Sequence, residues 1–269
     1  MDKYRVGFFG FGHMAQILCE AILRAKIIPH SQVSFLRRDR DKMKENSQKF
    51  RITPTSLEHL ISHSDLIVLS MRPEQSENAL KQLVQAGNLE GKWIVSILAG
   101  KPISFFQAHL GRNVQILRTM PNLCSAVNEG MSALCYSENC TEEFKSFSRS
   151  LFGAVGQIAE VAEKFMDLVV GLSGSGPAFV IRLIETMAQT GVAHGMPYET
   201  ALKIAAQTFK GAAELLLRGK TSPQDLLTQI TVPNGTTQAG LTTMTHLEIE
   251  KHFRSAIEAA AKRSQELSL

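Results

Sequence analysis

The sequence has few cysteines and no large excess of charge of either sign. The four cysteines among the 269 residues are Cys19, Cys124, Cys135 and Cys140. Their positions share no spacing typical of metal ligands, so we expect no metal site and predict free thiols in a reducing compartment. The formal net charge is +4 with both signs spread along the chain, which argues against a nucleic-acid partner.

Long apolar runs and targeting signals are also lacking. No uninterrupted apolar run comes near the roughly 20 residues that a membrane-spanning helix needs. Asp2 and Lys3 lead directly into a strand pattern, without the basic start and apolar centre of a secretory signal. We therefore expect a cytoplasmic protein without membrane contact. Hydrophobic residues make up 44% and charged residues 20% of the chain, a balance typical of an enzyme with one or two domains.

The strongest pattern in the first half is a short apolar strand at residues 5–9, followed by glycines and a helix. This order of strand, G-x-G-x-x-A and helix is typical of dinucleotide-binding sites. Gly10 would form the tight turn, Gly12 would let the backbone approach a pyrophosphate, and Ala15 would allow close packing of helix and strand. His13 either lines the cofactor channel or is a solvent-facing loop histidine. The predicted cofactor-binding residues here are Gly10, Gly12, His13, Met14 and Ala15.

The end of the second predicted strand indicates which cofactor binds. Residues 33–36 form this strand, and Arg37 and Arg38 follow it directly. The planar fork of arginine suits the 2′-phosphate of NADP, so we predict NADPH, with NADH as the alternative. The alternative stands because Asp39 could accept a hydrogen bond from a ribose, while the arginines could simply begin an exposed helix.

Further apolar strands alternate with helices, which predicts a parallel sheet covered on both faces. These strands are expected at residues 66–71, 93–97 and 114–118, and the runs 131–136 and 156–161 should extend the sheet. Ligands of such sheets bind at the carboxyl ends of the strands. The strand ends add Met71, Arg72, Pro73 and Ala99 as predicted cofactor-binding residues, and they include Asn122.

Helical patterns dominate after residue 162. Gly171–Ala178 holds three glycines and two serines in eight residues, which predicts a turn that opens a helix at Pro177. Such a turn can bind an anion or serve as a sharp corner between helices. A helical region this apolar, over only about 100 residues, predicts a core shared with a second copy of the chain.

Several of these segments together resemble the Δ1-pyrroline-5-carboxylate reductase family, over nearly the whole chain. The resemblance rests on Gly10–Ala15, Arg72-Pro73, Met120-Pro121-Asn122, Asn128-Glu129-Gly130, Gly171–Ala178 and the last helix. It implies NAD(P)H-dependent reduction of a cyclic imine, pyrroline-5-carboxylate, to L-proline, the final step of proline biosynthesis. It also implies an α/β N-terminal Rossmann domain at residues 1–162 and an all-α dimerisation domain at residues 163–269. Homodimers are expected, and some family members form decamers.

The resemblance further implies roles for individual residues. Thr237 is expected to contact the substrate, since the turn that enters its helix offers N–H groups to a carboxylate. Glu163 is expected to face the ring nitrogen, or else to be a solvated acid at a helix start. Ser56 lies where some members have an asparagine near the adenosine ribose. The predicted catalytic residues are Thr237, Glu163 and Ser175, and the predicted substrate-binding residues are Asn122, Gly235, Thr236 and Thr237.

One loop departs from the family pattern and keeps two alternatives open. Residues 232–237 read Val-Pro-Asn-Gly-Thr-Thr, where the family has Ser-Pro-Gly-Gly-Thr-Thr. Asn234 tolerates a left-handed backbone, so we expect the loop shape to survive. The altered loop is consistent with a non-catalytic NADP(H)-binding paralogue that has a regulatory role. A β-hydroxyacid dehydrogenase-type enzyme is the other alternative, although the surroundings of Lys164 do not resemble that class.

Overall fold

Eight strands form one sheet in the computed structural model, which describes residues 3–267. The strands are β1 (Val6–Phe9), β2 (Val33–Leu36), β3 (Thr53–Pro54), β4 (Leu66–Leu69), β5 (Trp93–Ser96), β6 (Gln115–Met120), β7 (Gly130–Tyr136) and β8 (Gly156–Glu160). Their order is β3-β2-β1-β4-β5-β6-β7-β8, and the neighbours pair in parallel except for β6 and β7. The predicted mainly parallel sheet, with its extension at residues 131–136 and 156–161, is confirmed.

Helices cover both faces of the sheet. They are α1 (His13–Arg24), α2 (Arg40–Phe50), α3 (Leu57–His63), α4 (Ser76–Ala86), α5 (Ile103–Leu110), α6 (Glu142–Gly153) and α7 (Met166–Val169). Successive strand residues point to opposite faces. Thus Leu66 and Val68 of β4 pack with α1 and α6, whereas Ile67 and Leu69 pack with α3, α4 and α5. This arrangement leaves the carboxyl ends of the parallel strands as the place where loops can form a site.

The remaining helices are α8 (Gly176–Ala193), α9 (Tyr198–Arg218), α10 (Pro223–Ile230), α11 (Thr236–His246) and α12 (Ile249–Glu266). Helices α8 and α9 pack closely, because small residues meet where they touch. A Cβ atom added at Gly191 would lie 2.9 Å from the Cβ of Ala201, and Ala201 and Ala205 are buried. The alanine-rich face predicted for residues 198–217 therefore does serve close helix contact.

Two compact units make up the described chain. The first contains the chain up to Ser175 and again from Ala259, and the second contains Gly176–Glu258. Helix α12 therefore begins in the second unit and ends in the first. These bounds differ from the predicted domains, residues 1–162 and 163–269, because Met166 of α7 and Ser264 of α12 are buried within the first unit. The functional division at residue 162 stays a prediction.

The segment that begins at Gly171 is helical, so the prediction of a turn there was wrong. Val170–Gly174 forms a π-helical turn between α7 and α8, and the N–H of Ser175 donates to the carbonyl of Val170 over 2.7 Å. Ser175 has helical dihedrals and is a bend between the π-turn and α8, which begins at Gly176, one residue before the predicted helix start at Pro177. A π-turn is wider than an α-turn and recurs at functional sites. The missing side chain of Gly174 leaves room for Met120, whose Cε would lie 2.5 Å from an added Cβ.

The helical stretch Glu163–Ala193 is long and apolar enough, by length and composition alone, to cross a membrane. Its most apolar window has a mean hydropathy of 1.4, and 6% of that window is buried within the chain. Glycines, serines and a few charges are interspersed in this stretch, so it does not stand out in the sequence as an uninterrupted apolar run.

Candidate functional site

A cavity of about 520 Å³ lies at the carboxyl ends of β1, β2 and β4. The strand order reverses direction between β1 and β4, and such a switch point is where open α/β sheets bind their ligands. The volume is within the range typical of ligand pockets. Of the predicted cofactor-binding residues, the cavity is lined by Gly10, Gly12, Arg37, Arg38, Met71 and Arg72.

The loop after β1 has the geometry that a pyrophosphate requires. Gly10 has φ +89°, and a Cβ there would lie 2.8 Å from the carbonyl oxygen of Ser70, so only glycine fits. An added Cβ at Gly12 would meet nothing within 4 Å, which leaves that space open to a ligand. His13 and Met14 begin α1, and the free N–H groups of this first turn can donate hydrogen bonds to an anion. Ala15, the next residue, is fully buried.

The two arginines after β2 have different surroundings. The guanidinium of Arg37 donates from Nη1 to the carbonyl of Phe11 over 2.8 Å, and so it supports the glycine loop. Arg38 is exposed at the cavity. Asp39 caps α2 by accepting from the N–H of Lys42 at 3.0 Å. The end of β2 thus presents the exposed guanidinium of Arg38, whose planar fork suits a phosphate group.

The other predicted cofactor-binding residues lie at neighbouring strand ends. Ser56 follows β3 and caps α3 by accepting from the N–H of His59 at 3.3 Å. Since β3 pairs with β2, Ser56 lies on the same side of the switch point as Arg38. Pro73 begins a short 3₁₀ turn after Arg72. Ala99 follows β5, and it is not among the residues that line the cavity.

The charges around the cavity favour an anionic ligand. Three arginines line it, and they outnumber the acidic residues Asp39 and Glu74, of which Asp39 already caps α2. A basic rim, an open glycine and the start of α1 together form a site that fits the phosphates of a dinucleotide. The residues present therefore fit the predicted cofactor.

Asn122, a predicted substrate-binding residue, is buried and tied to the π-helical turn. Its side-chain nitrogen donates to the carbonyl and to the hydroxyl of Ser173, both at 3.2 Å. Its side-chain oxygen accepts from the N–H of Met131 at 3.3 Å. These contacts engage both ends of the amide, so Asn122 joins the loop after β6 to the π-turn. Its contact with a substrate stays a prediction.

Glu163, a predicted catalytic residue, is partly exposed and pairs with a buried arginine. Its Oε1 accepts from the N–H of Ile103 at 2.6 Å and from Nη1 of Arg118 at 3.3 Å. The Arg118 side chain is 4% exposed, and its Nη2 donates to Asp167 at 3.1 Å. Arg118 was not among the residues predicted from the sequence. The available signal was one charged residue at the end of the strand pattern 114–118, in which Gln115 is the other polar residue.

The second unit holds the turn predicted to bind the substrate carboxylate. Gly235 directly precedes α11, and Thr236 and Thr237 form its first turn. Asn234 has φ +59°, and its N–H donates to the side chain of Gln238 over 2.6 Å. The left-handed backbone at Asn234 confirms that asparagine can replace the glycine of the family pattern there. The turn presents N–H groups and hydroxyls at a helix start, as an anion site requires.

The cysteines and the acidic residues show no metal-binding arrangement in the described part of the chain. Among residues 3–267, no group of three or more His, Cys, Asp or Glu side chains could hold a metal ion. The four cysteines are free thiols. Burial raises the pKa of Cys19 to about 12 and that of Cys135 to about 11, which makes both thiols unreactive near neutral pH.

The chain is similar to known families and to single proteins of known name. The family model for pyrroline-5-carboxylate reductase dimerisation matches residues 163–267, and one for coenzyme F420-dependent NADP oxidoreductases matches residues 5–100. A pyrroline-5-carboxylate reductase of Arabidopsis thaliana is 34% identical over 268 residues, 99% of this chain and 96% of that one. Pyrroline-5-carboxylate reductase 1 of Bacillus subtilis is 33% identical over 272 residues, 99% of this chain and 90% of that one.

A solved structure is similar over the full length of both chains. It is the Plasmodium falciparum pyrroline carboxylate reductase with NADP bound, which has a TM-score of 0.91, 28% sequence identity and 100% coverage of each chain. The similarity therefore extends over both the sheet region and the helical region of this chain.

Proposed function

The chain belongs to the pyrroline-5-carboxylate reductase family, and from this premise we propose that it reduces L-1-pyrroline-5-carboxylate to L-proline with NADPH. The observation that carries the proposal is the cavity at the switch point, with its open glycine and basic rim, in a chain similar to these reductases over its whole length. Such a reduction needs a bound dinucleotide, a bound imine and the exclusion of water.

The cofactor half of the site would be formed by the first unit. The glycine loop and the first turn of α1 would hold the pyrophosphate, and Arg38 would contact a 2′-phosphate. When bound, the dinucleotide supplies the hydride that reduces the C=N bond. NADPH is proposed over NADH because Arg38, whose planar fork suits a phosphate group, is exposed at the cavity.

The turn at Gly235 and the first turn of α11, in the second unit, would bind the substrate carboxylate. A carboxylate there would accept hydrogen bonds from the free N–H groups and from the hydroxyl of Thr237, which we propose as the direct substrate contact. A protonated imine is already electrophilic, so these residues bind and orient the substrate and need not form a covalent bond to it. The carboxylate of Glu163, which the family resemblance places toward the ring nitrogen, would favour the protonated imine through its charge.

We further propose that the protein is a homodimer. The family model for dimerisation matches residues 163–267, and many large apolar side chains in that range are exposed, including Leu172, Ile181, Met187 and Ile204. A second copy that covers these residues accounts for the low burial of the apolar stretch 163–193. Decamers, which the family resemblance implies for some members, would be assemblies of such dimers. A cytoplasmic location stays a prediction from the sequence.

One assay tests the proposed function against its alternatives. Pyrroline-5-carboxylate and NADPH are supplied and the loss of NADPH absorbance is followed, while a parallel reaction contains a β-hydroxyacid and NADP⁺. Activity in the first reaction alone supports the reductase. Activity in the second alone identifies a β-hydroxyacid dehydrogenase. NADPH binding without either reaction identifies the non-catalytic paralogue that the altered loop at Val232–Thr237 leaves open.

A further inference from the structure

The ion-pair network around Arg118 joins three separate segments of the first unit. Arg118 lies in β6 and reaches Glu163 in the turn before α7 and Asp167 within α7. Asp167 Oδ1 also accepts from the hydroxyl of Ser264 at 2.8 Å, although Ser264 is 97 residues away in sequence. Arg118 and Ser264 are buried, with exposed fractions of 4% and 2%. A buried cation that holds two carboxylates in fixed positions is a rigid connection.

The same network holds the turn after β5 from both sides. Glu163 accepts from the N–H of Ile103, the first residue of α5, which directly follows this turn. On the other side the end of α12 packs against Gly100, which has φ +76°. A Cβ at Gly100 would lie 2.7 Å from the carbonyl oxygen of Ser264 and 2.9 Å from the Cβ of Leu267. The turn therefore has almost no room to move relative to α12.

The position of this turn in the sheet places it on the nicotinamide side of the cofactor site. The glycine loop that would hold the pyrophosphate follows β1, and the arginine that would contact the adenosine phosphate follows β2. The other half of the dinucleotide must then extend in the opposite direction, across β4 and toward β5 and β6. Ala99 and Gly100 follow β5 at this edge, and β6 carries Arg118 two residues before its end at Met120.

We propose that Arg118, Glu163, Asp167 and Ser264 form a positioning network in which the end of α12 fixes the β5 turn against the nicotinamide half of the cofactor. These four are positioning residues, since none of them needs to touch the reacting atoms. Hydride transfer depends steeply on the distance and angle between donor and acceptor carbons, so a small displacement of the turn slows it. The inference rests on the proposed function, because it assigns a task within that reaction.

The test compares Ser264→Ala with two matched variants in the full-length protein. Ser264→Ala removes the hydroxyl that donates to Asp167, whereas Ser264→Thr keeps a hydroxyl at that place. Ser255→Ala is the control, because Ser255 is an exposed serine of the same helix whose hydroxyl donates only locally, to the carbonyl of Lys251. Turnover, NADPH dissociation constant, melting temperature and the isotope effect with NADPH deuterated at C4 are measured for each.

We expect Ser264→Ala to lower kcat roughly tenfold and to raise the deuterium isotope effect, with the dissociation constant for NADPH changed less than about twofold. Ser264→Thr should recover most of the rate, and Ser255→Ala should match the wild type. Gly100→Ala, which displaces the turn directly, should lower kcat at least as much as Ser264→Ala. If Ser264→Ala does not fold, the comparison of Gly100→Ala with the wild type decides whether displacement of the turn lowers kcat.

The outcomes separate this inference from the proposed function. An active wild type with unchanged kcat in both Ser264→Ala and Gly100→Ala overturns the positioning network and leaves the reductase assignment intact. A loss of rate with an unchanged isotope effect, in step with a lower melting temperature, shows a purely structural role and also overturns it. An inactive wild type that binds NADPH overturns the proposed function, and this inference with it.

Discussion

Arg37 and Arg38 are adjacent in sequence, and the fold gives them different tasks. Arg37 donates to the carbonyl of Phe11 and so braces the glycine loop that any dinucleotide would use. Arg38 is exposed at the rim of the cavity, where its guanidinium has room for a phosphate. The two arginines therefore have different roles, and the preference for NADPH over NADH should depend on Arg38.

Replacement of Arg38 tests this distinction. Loss of one charge-assisted contact is worth about 1.5–3 kcal/mol, so Arg38→Ala should weaken NADPH binding at least about tenfold and change NADH binding less than about threefold. Arg37→Ala should weaken both cofactors, because it loosens the loop around Gly10 and Gly12. Titration of cofactor fluorescence gives all four dissociation constants. Equal losses for NADPH and NADH in Arg38→Ala would contradict the phosphate contact.

Thr237 is the residue whose loss should separate chemistry from cofactor binding. It lies in the first turn of α11, in the second unit, while the residues that line the cavity belong to the first. Thr237→Ala should lower kcat/KM for pyrroline-5-carboxylate about 30-fold or more and change NADPH affinity less than about twofold. Thr245→Ala, an exposed threonine of the same helix, is the control. Unchanged turnover in Thr237→Ala would remove the proposed substrate contact.

The thiols differ in burial, which predicts their order of modification. Cys19, Cys135 and Cys140 are buried, whereas Cys124 is half-buried in the loop after β6. Burial raises the pKa of Cys19 to about 12, so its thiolate fraction at pH 8 is about 10⁻⁴. Iodoacetamide at pH 8 should therefore label Cys124 first, and the other three only after unfolding. Peptide mass spectrometry after increasing labelling times measures the order in which the cysteines react. Early labelling of Cys19 would contradict its burial.

At the scale of elements, backbone conformation decides which sequence changes the loops accept. The loop before α11 keeps its shape because Asn234 adopts φ +59° and because its N–H donates to Gln238. Serine at the start of the family pattern is replaced by Val232, whose carbonyl accepts from the N–H of Gly235 over 2.9 Å. The altered loop is thus closed by its own backbone hydrogen bond, and the missing serine hydroxyl is not part of that closure.

Substitution at Asn234 tests whether this conformation matters. Asn234→Gly should leave stability and turnover nearly unchanged, since glycine adopts the left-handed region freely. Asn234→Val should cost about 1–2 kcal/mol, because a β-branched residue is strained there, and it should raise KM for the imine. Chemical denaturation and steady-state kinetics measure the two effects. Equal behaviour of the glycine and valine variants would show that the loop relaxes to another conformation.

At the scale of the whole molecule, the apolar surface of the helical region needs a partner. Most of the exposed large apolar side chains lie after residue 164, and few lie in the sheet region. The dimerisation family model matches this same range. Exposed apolar surface of this extent marks an interaction site, and the matched range fits self-association.

A charge placed on this surface should break the dimer. Ile181 is 60% exposed in α8, so Ile181→Glu should be tolerated by the isolated chain and yet prevent association. We expect a monomer by sedimentation at micromolar concentration, with most activity lost. Val84→Glu is the control, since Val84 is 48% exposed in α4, outside the matched range. A wild-type protein that sediments as a monomer would contradict the homodimer.

Much of the first half was predictable because its signals are local. Each apolar strand is short, bounded by glycine or charge, and repeated between helical patterns, so the mainly parallel sheet and the loops at its carboxyl ends followed from the sequence. The glycine loop, Arg38, Met71 and Arg72 were predicted together and do line one cavity. Ala99 was predicted on the same argument, and it follows β5 outside the lining of that cavity.

The tertiary structure alone decided how residues distant in sequence are used. Gly171–Ala178 reads locally as a turn, but Val170–Gly174 forms a π-turn, and Met120 packs where Gly174 has no side chain. Arg118, Asp167 and Ser264 show no common pattern, and only packing brings one cation between two carboxylates and a helix end. The sequence by itself determined the elements, the nucleotide-binding loop and the family, since these depend on short-range periodicity and motifs. Burial and long-range contacts determined which charged groups face a ligand and which support the structure, because desolvation depends on the whole fold.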